Sequence, residues 1–176
     1  GLGISGAGDV RFAEAIEIAG DVTIDATGEV RFEQAVTLLD GGSLTIRNAG
    51  NVRFDQGLIT LRADSGAAGA LDIQAGTILV GDGSVASDLV VDFDPGAGAS
   101  GGAVILDATL GADGRLADLV VEDAAAVTLG QMVTVAGDVR LRTDALTIDA
   151  GVSATAGGEF VVSAASSTRA MAYGAA

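Results

Sequence analysis

The sequence predicts an all-β fold: a right-handed parallel β-helix, a three-sided β-solenoid with about 20–30 residues per coil. Three observations carry this. One phrase returns three times, as GDVRF at 8–12, GEVRF at 28–32 and GNVRF at 50–54. Each copy is followed by two more short stretches in which apolar and polar residues alternate. The composition suits strands and tight turns, with 27 glycines, 49% hydrophobic residues and only 3% aromatics. A core of Val, Ile, Leu and Ala punctuated by Gly favours short strands over helices.

The first strand of each unit is the Gly-x-Val-Arg-Phe phrase. Alternate side chains of a strand face opposite ways. Val10 and Phe12 therefore point inward and Arg11 outward, and the same holds at Val30/Phe32 with Arg31 and at Val52/Phe54 with Arg53. The second strand is AIEIA at 15–19, AVTLL at 35–39 and LITLR at 58–62. In the third copy the apolar pair Ile59/Leu61 falls one residue later after the Phe, which predicts a bulge or a one-residue insertion. The third strand is DVTID at 21–25, SLTIR at 43–47 and ALDIQ at 70–74. The link between second and third strands lengthens from AG to DGG to ADSGAAG. Variable length at one corner, with the strands kept, is what a three-sided coil tolerates.

Further along, the phrase fades while the period persists. GTILV at 76–80 takes the place of Gly-x-Val-Arg-Phe. DLVVDF at 88–93 and DLVVED at 118–123 each follow a Gly/Asp-rich turn, and AGDV occurs at 7–10, 19–22 and 136–139. The pattern reaches about residue 165, giving one β-helix domain over 1–165, with 166–176 read as a tail or linker. Residues 94–103, which hold the single proline Pro95, read as one long corner loop. A β-sandwich also has short, closely spaced strands, but it has no reason to repeat a phrase at this interval. Stacked coils ~4.8 Å apart do. Six or seven of them make a rod on the order of 30 Å long.

Stacking puts equivalent residues in columns. Phe12, Phe32 and Phe54 form an internal ladder. Arg11, Arg31 and Arg53 form an external one. Like charges in a column repel, and Asp9, Glu29, Glu33 and Asp55 on the same outer face are placed to offset them. The column reads as a solvated face of modest ion pairs. An Arg stripe for anionic glycans is the alternative, against which the acids compete.

The composition also excludes several chemistries. There is no Cys and no His, which removes Ser-His-Asp, Cys-His and Cys/His zinc devices. All nine basic residues are Arg, so a P-loop lysine is absent. A net charge of −15 opposes nucleic acid and anionic membrane surfaces, and no apolar run approaches a membrane span. Glycan-active β-helices use carboxylate pairs. Asp92 and Asp94 are the nearest such pair, but no Trp offers a sugar platform and the lone Tyr173 lies near the end. The chain is therefore expected not to be an enzyme. No cofactor is expected, calcium being the one ion considered. Asp82, Asp88, Asp92, Asp94, Asp113 and Asp118 gather near Asp/Gly corners of the kind that supply oxygen ligands, although no stretch matches the repeated calcium nonapeptide. Outward threonines alternate with Asp and Arg, unlike a flat ice-binding face.

The units GDVRF…AIEIAGDVTIDA and GEVRF…AVTLLDGGSLTIRNA resemble the β-helical repeats of filamentous-haemagglutinin-like adhesins and other large repetitive bacterial surface proteins. The resemblance covers about residues 5–165. It implies secretion to the cell surface and a rod that spaces or displays binding elements for a glycan or another cell-surface ligand. The amino-terminal secretion domain of that group is not present in these residues. Beginning at Gly1, the chain reads as a processed product or a piece of a longer one. No stretch reads as a capping helix. The strand edges at the two ends are thus expected to continue into more solenoid, or to pair end to end with copies of the chain.

Overall fold

The computed structural model describes residues 1–63, 69–95, 101–149, 153–166 and 172–175. They form a β-solenoid of about six turns, with every strand pair parallel and no helix among them. Three faces run along the axis. Face I holds the Gly-x-Val-Arg-Phe strands. Their register is the one the repeats predict: Val10, Val30 and Val52 align, as do Arg11, Arg31 and Arg53, and Phe12, Phe32 and Phe54. Ile78, Leu110, Val133 and Ala154 continue the valine column.

Face II is a seven-stranded sheet running from Ile16–Ile18 through Val36–Leu39, Leu58–Ala63, Ser87–Pro95, Leu116–Ala124 and Val139–Thr143 to Phe160–Ser163. The two DLVV phrases stack here, Leu89 on Leu119 and Val91 on Val121. Face III carries the third strands, from Leu2–Ala7 onward. Faces I and III merge into one sheet because Ser43–Phe54, Ala70–Val80 and Ala103–Leu110 bend round the shared corner without breaking. The ladder slips there, between Ile46 and Ala49, and Asn48 takes a left-handed φ of 60°. Asn tolerates that conformation better than most residues. The strand Ala172–Ala175 pairs with Ala145–Ile148 on face III.

The offset in the third unit is an added residue at the corner between faces I and II. Val36 pairs with Ile59 and Leu38 with Leu61, so Gly57 is the extra residue. Its φ is +62°, and a Cβ there would lie 1.9 Å from the Asp88 carbonyl oxygen, so only glycine fits.

Inward residues of all three faces fill one core. Ile24, Val30, Val36, Leu44, Ile59 and Ile73 are completely buried. The phenylalanines stack face to face, with ring centroids 4.9 Å apart for Phe12–Phe32 and 5.1 Å for Phe32–Phe54. Of these three rings only Phe12, in the first coil, is incompletely covered. No described helix is long and apolar enough to cross a membrane.

Candidate functional site

The outward face of the repeat phrase builds the first polar array. The first two arginines each reach the acid one coil further on. Arg11 grips Glu33 with two bonds, Nε to Oε1 at 2.6 Å and Nη2 to Oε2 at 2.9 Å. Arg31 donates Nε and Nη2 to Asp55 Oδ2 at 3.0 and 2.7 Å. Arg53 has no acid at the next rung. It donates Nη1 to the Gly81 carbonyl at 2.9 Å and lies 3.6 Å from Glu29. The column is thus a diagonal ladder in which no arginine faces its like-charged neighbours uncompensated. The Arg11 guanidinium, chiefly through its hydrogen bonds, holds the Glu33 carboxyl below its usual range.

A second array runs along the corner leading into face II. Asp88 Oδ1 accepts the Asp118 amide at 3.2 Å, Asp118 Oδ1 accepts the Asp138 amide at 2.7 Å, and Asp138 Oδ1 accepts the Glu159 amide at 2.8 Å. Each carboxylate satisfies the backbone N–H of its counterpart one coil on. The same device occurs once where face I begins, from the Glu29 amide to Asp9 Oδ1 at 2.8 Å. At the start of face III, the Ser43 hydroxyl donates to Asp21 Oδ1 at 2.6 Å. The phrase AGDV is therefore a corner phrase. Its three copies supply Asp9, Asp21 and Asp138, each entering a different face.

The six aspartates picked out as calcium candidates have these placements. Asp88 and Asp118 are adjacent rungs of the corner ladder. Asp82 closes a turn on itself, its Oδ1 accepting the Ser84 amide at 2.8 Å, and the Ser84 bonds pull its carboxyl below the usual range. Asp113 does the same with the Arg115 amide at 3.2 Å. Asp92 is outward on face II, in register with Thr60 and Glu122. The side chain of Asp94 lies outside the described residues, as do residues 96–100 of the 94–103 corner. Among the described residues no three carboxylates come together where they could hold a metal ion.

The chain matches no family model, no curated protein and no solved structure. What it can do chemically is therefore read from its own surface.

A polar concavity lies beside the arginine ladder. The corner between faces I and II is short in the second and third coils, but in the fourth it grows to the loop 81–87. Gly81 and Gly83 turn it through φ of 78° and 90°. The loop is clipped at both ends: Gly81 is bonded to Phe54 and Arg53, and the Ser87 amide donates to the Arg115 carbonyl. It lies beside the arginine ladder and helps line an open cleft of about 460 Å³ between Arg31, Asp55, Gln56, Asp82 and Ser84. Asp55 is the deepest of these. Its side chain is only 10% exposed, and Oδ1 is buried without a hydrogen-bond partner. Sequence reasoning put Arg31 and Asp55 on one outer face but placed Asp82 separately and did not bring it to them. It missed Gln34, Gln56, Ser84 and Ser87. The available signal was length: the GDGSVAS corner is longer than its predecessors.

Proposed function

We propose that the chain is a structural and adhesive β-helical rod segment of an extracellular bacterial surface protein. In this reading it is not an enzyme and needs no cofactor. It spaces or displays elements that meet a glycan or another cell-surface ligand. The observation that carries the reading is the axial continuity of the polar arrays. The arginine and aspartate ladders commit their charged groups to joining one coil to the next, which suits a stiff rod. The repeat style of large bacterial surface proteins supports the same reading.

A second reading, self-assembly end to end, is favoured by one specific feature. The first coil opens an apolar mouth of about 380 Å³ over Phe12, Ile16, Ile18 and Leu44. At the opposite end Phe160 and Val161 are 40% and 41% exposed. Coils stacking through these edges would give a head-to-tail filament.

The test is a blot of fractionated source cells with an antibody to this segment. A surface band far above 17.2 kDa supports the rod segment of a larger exoprotein. A band near 17.2 kDa in sheared filaments supports the second reading. A band confined to the cytoplasmic fraction overturns both.

A further inference from the structure

We infer that the cleft beneath the 81–87 loop is a binding subsite for a neutral saccharide, one of the elements the proposed rod would display. It rests on the display reading. Four observations lead to it.

The cleft exists because residues were added at one corner. A solenoid tolerates insertion at its corners, and inserted surface loops held by a rigid scaffold are where binding groups concentrate. This loop is rigidly held. Backbone bonds fix both of its ends, and Arg115 Nη1 packs against Gly83 from the next coil, only 2.9 Å from where a Cβ would stand.

Donors and acceptors are both on offer, and they are mixed. The side-chain amides of Gln34 and Gln56 are exposed, with no hydrogen bond among the described residues, and the Ser87 hydroxyl stands at the rim. Arg31 uses Nε and Nη2 on Asp55, which leaves Nη1 directed elsewhere. Sugar hydroxyls both donate and accept, so a saccharide matches such a lining. Val85, 65% exposed on the loop, adds an apolar contact for a ring face.

Asp55 Oδ1 is the third observation. Buried acceptors are almost always satisfied, and an orphan calls for a cause. That oxygen is closed to water as the structure stands, so a ligand donor reaches it only where the wall of the cleft gives way.

Charge is the fourth. Glu33 and Asp55 line the cleft already paired, with Arg11 and Arg31, while Asp82 is bonded to Ser84 and leaves the cleft a net negative charge. That balance repels uronate or sulfated glycans. The absence of a three-carboxylate cluster among the described residues turns the choice away from a divalent ion.

The experiment is a ¹⁵N chemical-shift titration of the full chain. The probes are cellotetraose, xylotetraose, mannotetraose and tetra-N-acetylchitotetraose, with tetragalacturonate and calcium chloride in separate arms. Saturable shifts are expected with at least one neutral sugar, confined to the amides of 33–34, 55–57 and 82–87. Gln56→Ala and Ser84→Ala, both on exposed side chains, should weaken binding about tenfold at unchanged melting temperature. Asp55→Asn, which keeps an oxygen for Arg31, should weaken it at least as much. No saturable shift at about 10 mM of any neutral sugar overturns the inference and leaves a lone water to satisfy Asp55. Stronger shifts with tetragalacturonate, shifts on another face, or calcium binding at the same amides overturn it too. Failure here with the chain still found at the cell surface removes the subsite and leaves the rod.

Discussion

Replacing Asp118 by alanine removes the middle rung of the corner ladder. Two contacts are at stake. The first is the bond from the Asp138 amide to Oδ1, at 2.7 Å. The second is Arg140, 4.0 Å from Oδ2 and half exposed. A hydrogen bond to a charged acceptor contributes about 1.5–3 kcal/mol, and a stranded buried donor costs a similar amount. Asp118 is 33% exposed, so water recovers part of this and places the loss near the low end, at about 1–2 kcal/mol. The Arg140 contact is long and solvated and adds at most about 0.5 kcal/mol. Asp118→Asn keeps an oxygen acceptor and gives up only the charge, so its cost should stay below about 1 kcal/mol. Gly137→Ala gives an independent check, because a Cβ there would lie only 2.2 Å from Asp118 Oδ1 and would push the carboxylate off its rung. The assays are urea denaturation with a constant m-value and amide hydrogen exchange. In Asp118→Ala and Gly137→Ala the Asp138 amide should lose protection while distant face III amides keep theirs. An Asp138 amide as protected as in the wild type would refute the reasoning. An Asp118→Asn as damaging as Asp118→Ala would show that charge, not the acceptor, matters.

Two further outcomes follow from the ladders. Phe32 is fully buried between two rings and Phe12 is half covered with one, so Phe32→Ala should cost about 3–5 kcal/mol and Phe12→Ala roughly half that; equal losses in urea midpoint would dismiss the stack as a cumulative element. Glu33 titrates below its ordinary value when folded, so its contribution is complete above that value and fades as pH falls through the lowered one. Melting temperatures taken from about pH 6 down to pH 2 should show wild type above Glu33→Gln at the neutral end and the two converging in acid; parallel curves would count against it.

Most of the fold was legible because β-solenoid register is written in one dimension. Arg11, Arg31 and Arg53 fall in one column for the same reason that their phrases align in sequence: an inward Val and Phe on either side fix which face each arginine takes. The one-residue offset before Ile59 was equally plain, since slipping a strand by one would have turned its apolar residues outward. The polar arrays were half legible. The acids flanking the arginines could be named, but not that each arginine bonds across coils, because that choice depends on side-chain reach and not on spacing. AGDV was seen three times without its meaning, since its copies serve three different faces and share only a corner geometry. Asp88 and Asp118 looked like ion ligands because a carboxylate at a Gly-rich turn has the same signature whether it faces a cation or a backbone N–H. The partner of that carboxylate is an amide 20 or 30 residues away, supplied only when the coils stack.

The same stacking decides where new chemistry can enter such a rod. A residue added within a strand would flip every side chain beyond it, so additions survive at corners. At the corner between faces I and II the first, Gly57, adds one residue. The next, at 81–87, is long enough to fold back over the coil before it. It does so above the ladder's last regular rung, where Arg53 finds a loop carbonyl in place of an acid. The following coil repeats the extension at 111–115, and its Arg115 carbonyl and guanidinium brace the first loop from behind. Removing the second loop should therefore loosen the first, even though the cleft lies on the other side. A variant shortened at 112–114 that still gives the full set of face II amide protections, yet exposes 82–87 to exchange, would show the brace at work. Unchanged protection at 82–87 would mean that Gly81 and Phe54 hold the loop alone.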